Sequence, residues 1–105
     1  MLLKDRNGLY RGKATIKNFL TFDIDIEALI DEKGDIKVTT IAPIVGKISH
    51  SISLGSDYDK DEYDMKFGDD TFHIKFDSNN SIEIELPEKI NGSLIVTRNV
   101  TLSRT

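Results

Sequence analysis

The hairpins of this chain all align in registers that agree on one apolar inside and one polar outside. Pairing Ile16 with Phe22 about Asn18-Phe19-Leu20 also pairs Ala14 with Ile24, Gly12 with Ile26 and Tyr10 with Ala28. The same alignment sets Thr15 opposite Asp23, Lys13 opposite Asp25 and Arg11 opposite Glu27. Side chains alternate between the two faces of a strand, so one face is apolar and the other is a ladder of opposite charges. A slip by one residue would turn Asp23 and Asp25 into the core, which pins the alignment.

The next turn, Asp31-Glu32-Lys33-Gly34-Asp35, places Gly34 where a left-handed residue is wanted and pairs Ile30 with Ile36, Ala28 with Val38 and Glu27 with Thr39. Gly68-Asp69-Asp70 then separates Tyr63, Met65 and Phe67 from Phe72, Ile74 and Phe76, with Asp64 expected opposite Lys75 and Lys66 opposite His73. Ser78-Asn79-Asn80 joins Phe76 to Ile82, Ile74 to Ile84 and Phe72 to Leu86, leaving Lys75 to face Glu83 and His73 to face Glu85 on the outside. Turn residues recur roughly every 10 residues and no segment has helical period, which predicts an all-β, single-domain, antiparallel up-and-down meander of about eight strands. Residues 1–105 form one domain, and the expected architecture is a closed or nearly closed β-barrel.

Composition narrows the chemistry. Charged residues make up 30% of the chain and hydrophobic residues 38%, as in an ordinary folded domain. There is no cysteine, so disulfides, thiol chemistry and the commonest structural zinc ligands are excluded. Net charge is −4 and the basic residues are scattered among acids, which argues against nucleic acid as a partner. No run of ~18 apolar residues suggests a membrane span. Met1-Leu2-Leu3 is followed at once by Lys4, Asp5 and Arg6, so no leader is read there and the expected location is cytoplasmic. The Asn-x-Ser/Thr sequences at Asn79, Asn91 and Asn99 are read as turn chemistry.

The two ends of the chain carry a resemblance. Gly8-Leu9-Tyr10-Arg11-Gly12 opens the first strand, and Leu94-Ile95-Val96-Thr97-Arg98-Asn99-Val100-Thr101-Leu102 is expected to form the last. This pattern resembles the calycin superfamily, which includes lipocalins and fatty-acid-binding proteins. In that family a Gly-x-Trp near the start of the first strand meets an Arg or Lys of the last strand and closes one end of the barrel. The resemblance implies that Tyr10 stands for the tryptophan and Arg98 for the base, with Arg104 the second choice. It also implies a ligand cavity. The chain departs from the family in having tyrosine for tryptophan and in being short for a lipocalin.

Few residues stand out as candidate ligand contacts. Arg98 shares its expected face with Leu94, Val96, Val100 and Leu102, and a guanidinium on an apolar face needs partners. It stacks on Tyr10 or bonds loop carbonyls at a barrel mouth, or it meets an anionic ligand, or the residue belongs to the opposite face. His50 lies between Ile48, Ile52 and Leu54, with Ser49, Ser51 and Ser53 on the alternate face, so either the histidine or the serines point inward. With Tyr10, Tyr63 and Thr40 they make a small polar set in an apolar interior, the usual design of a small-molecule site.

Catalytic constellations are missing. Ser49 and Ser51 alternate with His50 and cannot pair with it, and no Gly-rich phosphate loop is present. Asp57-Tyr58-Asp59-Lys60-Asp61 opens like a calcium loop, but its sixth position is Glu62 and its twelfth Gly68, so no metal or cofactor is expected. Two readings lead: a non-enzymatic barrel holding a hydrophobic or anionic small molecule, or a protein-interaction module (inhibitor, immunity or accessory protein) acting through its outer loops with a filled barrel.

Overall fold

A computed structural model describes residues 3–42, 46–53, 59–67, 70–78, 80–90 and 93–105. A single 3₁₀ turn, Leu3–Arg6, leads into a sheet of ten strands among the described residues. These are β1 (Gly8–Asn18), β2 (Leu20–Ile30), β3 (Asp35–Ala42), β4 (Gly46–Ser53), β5 (Glu62–Phe67), β6 (Asp70–Ser78), β7 (Ser81–Glu85), β8 (Lys89–Ile90), β9 (Ser93–Ile95) and β10 (Asn99–Arg104). In space they run β4-β3-β2-β1-β10-β7-β6-β5, with the short β8–β9 hairpin attached alongside β1. All pairings are antiparallel. The first strand is thus joined to the last, and the sheet curls into an open half-barrel with β4 and β5 as its terminal strands.

The two long hairpins adopt the expected registers. Tyr10 faces Ala28, Gly12 faces Ile26, Ala14 faces Ile24 and Ile16 faces Phe22. Outside, Arg11 lies opposite Glu27 at 3.1 Å, and the Thr15 hydroxyl donates to Asp23 at 2.9 Å. The β2–β3 turn follows the same logic. Asp31 accepts the backbone N–H groups of Lys33 and Asp35 at 2.8 and 3.0 Å, and Gly34 takes a φ of 84°. Its ladder sets Ile30 opposite Ile36 and Ala28 opposite Val38.

Two expectations are corrected. In the β5–β6 hairpin Tyr63 pairs with Ile74, Asp64 with His73 and Met65 with Phe72, a slide of two residues from the expected alignment. A slide of two keeps every side chain on its face, so the core is unchanged while the outer pairs differ. The expected last strand is also divided. Val96 and Thr97 leave the ladder and both donate to the Thr15 carbonyl, at 2.9 and 3.2 Å, while the Arg98 carbonyl accepts from Leu86 N–H at 2.6 Å. That break shifts the alternation by one. Ile95 is buried before it, and Val100 and Leu102 after it, while Leu94, Val96 and Arg98 lie outside.

The core lies within the curl, made of Tyr10, Ala14, Ile24, Ile26, Val38, Met65, Phe72, Ile74, Ile84, Leu102 and their neighbours. Gly12 of β1 lies tightly against β10. A methyl group there would come 2.6 Å from both the Leu102 side chain and the Thr101 carbonyl oxygen. Gly12→Ala should therefore cost about 1–3 kcal/mol by forcing β1 from β10. Urea denaturation checks this, and an unchanged midpoint would contradict the close approach.

Candidate functional site

The polar groups that reach the interior gather at the end of the sheet where the chain termini meet. Tyr10 is 0% exposed, and its hydroxyl donates to the Arg6 carbonyl at 2.7 Å. Burial pushes the Tyr10 phenol above its usual range, partly offset by the nearby Arg104 and Arg6 charges. The Arg104 guanidinium lies 5.5 Å from the centre of the Tyr10 ring and also donates to the Asn7 carbonyl. Tyr10 and Arg104 come together because they are opposite one another in the β1–β10 ladder.

Arg6, in the 3₁₀ turn, is the most enclosed cation of this end. Its guanidinium sits 4.3 Å over the Phe76 ring, and its Nη2 donates to Asp61 at 2.6 Å. The Arg6 side chain is 8% exposed and the Asp61 side chain 69%, so this is a buried cation tied to a wet carboxylate. Nε and Nη1 of Arg6 are enclosed with no hydrogen-bond acceptor among the described residues, leaving the Phe76 ring face to offset part of their desolvation. The hydrogen bond and charge of Arg6 hold Asp61 below the usual carboxylate range. That pairing stabilises the fold above the unfolded-state pKa of Asp61 and is lost as pH falls through the lower folded value.

The structure brings together only part of the expected set. Tyr10 is inside, and Tyr63 on β5 is partly buried with its ring 5.9 Å from that of Phe76. Arg6 over Phe76 therefore links the two tyrosines. Thr40 lies further along the sheet, opposite Ile26 and Ile48, and is half-buried. The ladder sets His50 opposite Val38, but the His50 side chain lies outside the described residues. Asp57 and Tyr58 of the acidic segment lie outside them as well.

Arg98 is the correction. Expected inside, it is half-exposed in the break between β9 and β10, with Nε donating to the Leu86 carbonyl at 3.4 Å and Nη2 3.8 Å from Glu85. With Thr71, His73, Leu86 and Pro87 it lines a shallow depression on the outer surface. The β9–β10 break carries it outward, and Arg104 takes the place beside Tyr10 that the sequence reading gave first to Arg98.

His73 faces outward, as the alternation requires, but with different company. Its Nδ1 is 2.8 Å from Asp64 and its Nε2 3.5 Å from Glu62, because the β5–β6 slide brings both acids to it. Their hydrogen bonds, Asp64 first, raise the His73 pKa. The protonated ring thus favours the folded state below the unfolded-state histidine pKa, and that contribution disappears as pH rises through the folded value. Proton NMR should show His73 titrating above the ordinary histidine value of ~6.5, with Asp64→Asn lowering it. A normal titration insensitive to that substitution would contradict the observed register.

Among the described residues no group of three or more His, Asp or Glu side chains is placed to hold a metal ion. No helix among them is long and apolar enough to cross a membrane. Comparison with known proteins gives no matching family model, curated relative or solved structure.

The Arg6–Asp61 pair yields a stability test. Asp61→Asn should lower the melting temperature by leaving the enclosed guanidinium without its carboxylate, and adding Arg6→Met should recover part of the loss. Equal melting temperatures for all three proteins would show that the pair holds nothing in place.

Proposed function

We propose that this protein is a non-enzymatic interaction module that engages a protein partner through its outer surface. The observation that carries this reading is the packing of the interior. Tyr10, Val38, Met65, Ile84 and Leu102, contributed by five different strands, are each 0% exposed. A side chain bordering a space large enough for water would show accessible surface there, so no such space adjoins these five. Carriage of a small molecule needs a cavity of ~300–1,000 Å³ bordered by such residues. The two enclosed nitrogens of Arg6 support the same reading, since neither borders room for a ligand atom.

The acidic composition, the long hairpins and the exposed depression beside Arg98 suit an accessory, inhibitory or immunity role. Native mass spectrometry of the protein as purified from its producing cells is the test. The expected mass is that of the bare polypeptide, alone or with a protein partner. A small molecule retained at one per chain would overturn the proposal.

A further inference from the structure

Several rows of the outward face carry a lysine and no acid, and one of them lies at the β1–β2 tip. Along β1 and β2, Arg11 faces Glu27 and Lys13 faces Asp25, and on β6 and β7 Lys75 faces Glu83. The row at Lys17 runs instead through Thr21, Lys17, Leu94 and Lys89, across β2, β1, β9 and β8. It holds two exposed lysines with an exposed leucine between them, and no acid. Among the described residues neither lysine has a carboxylate within ion-pairing distance, which holds for the ladder lysines Lys13 and Lys75 as well, so it is the missing acid opposite them that marks this row.

This row lies at the base of the β1–β2 hairpin tip. There Phe19 is 98% exposed and Leu20 76%. Phe19 also takes a φ of 65°, the one positive value at a non-glycine position among the described residues. A left-handed conformation is unfavourable for a bulky aromatic, for which Gly or Asn is the ordinary choice. Neither core packing nor backbone preference therefore accounts for a phenylalanine at this position. Leu94 and Val96 extend the apolar surface along the neighbouring β9 end, where Val96 is held against β1 through the Thr15 carbonyl. The result is a narrow convex apolar tip with a cationic row behind it, on a chain that is acidic as a whole.

We infer that this tip is the docking element of the interaction module, with Phe19 entering an apolar pocket of a partner protein whose rim carries carboxylates facing Lys17 and Lys89. The inference rests on the proposed interaction role. Charge complementarity selects an acidic partner, and the convex shape selects a concave one. An anionic lipid surface is a poorer fit, because four exposed apolar side chains and two lysines give only marginal anchoring and the net charge of −4 opposes approach. A single aromatic fully desolvated in a protein pocket carries a large share of binding.

A photoreactive benzoylphenylalanine placed at position 19 of the full chain tests this in the producing cells. The expected result is a crosslink to one protein, reduced by Lys17→Glu with Lys89→Glu. That protein, purified, should bind the unmodified chain in a salt-sensitive manner and lose at least tenfold in affinity against Phe19→Gly. Phe19→Gly should meanwhile keep or raise the melting temperature, since glycine accepts the left-handed backbone, so lost binding is not lost folding. A partner bound equally well by Phe19→Gly would overturn the tip while leaving an interaction role standing. Crosslinks confined to lipid, or to a second copy of this chain, would overturn it too. A small molecule retained inside the barrel would instead overturn the reading on which the tip depends.

Discussion

The structure depends on the contact between the first and last strands, where Tyr10 is held between two arginines. Its hydroxyl bonds the Arg6 backbone, and its ring lies beneath Arg104. Without this seam the β1–β4 meander, with the β8–β9 hairpin on β1, would part from the sheet of β10, β7, β6 and β5, each with an exposed apolar face. Joining β1 to β10 turns both faces inward on one core, and the hydrophobic stabilisation of that core follows from the area removed from water. Gly12 permits the approach by carrying no side chain where Leu102 and the Thr101 carbonyl need the space. Arg6 and Asp61 then tie the N-terminal turn to the segment entering β5, close to the far edge of the sheet.

Much of this was legible in the sequence because two independent patterns agreed. In the β1–β2 hairpin apolar pairing and charge pairing select the same alignment, in β2–β3 the apolar pairs and the Asp31–Asp35 turn do, and the structure has both alignments. In β5–β6 the apolar pattern alone is ambiguous. Tyr63 and Met65 meet apolar partners in both registers, although the observed one sets Phe67 opposite Asp70. The charges held the answer, since the observed register opposes Glu62 to Lys75 and Asp64 to His73. The expected register set two cations, Lys66 and His73, face to face.

The site was less legible, for a different reason. The apolar and polar alternation from Leu94 to Leu102 reads as one continuous strand. Its interruption depends on hydrogen bonds to Thr15 and Leu86, which are distant in sequence. Periodicity has no access to such contacts, so Arg98 was placed inside when it is outside. Arg6 was missed because a single 3₁₀ turn has too few residues to show a period, and Lys4-Asp5-Arg6 reads as a solvated run. Its role follows only from the Phe76 ring beneath it and the Asp61 carboxylate beside it.

Five interior side chains from five strands are fully enclosed, which is the basis of the proposed role for the outer surface. Under the proposed interaction role the interior tyrosines and arginines serve closure, and recognition would fall to surfaces the fold does not use for itself. The β1–β2 tip is such a surface, with a strained aromatic that contributes nothing to the core. The measurement that bears most directly on the filled interior is methyl NMR under xenon pressure, since apolar voids take up xenon readily. The methyl signals of Ile26, Val38, Ile84 and Leu102 should remain without saturable shifts. Saturating shifts at those methyls would reveal an apolar void among them and contradict the account.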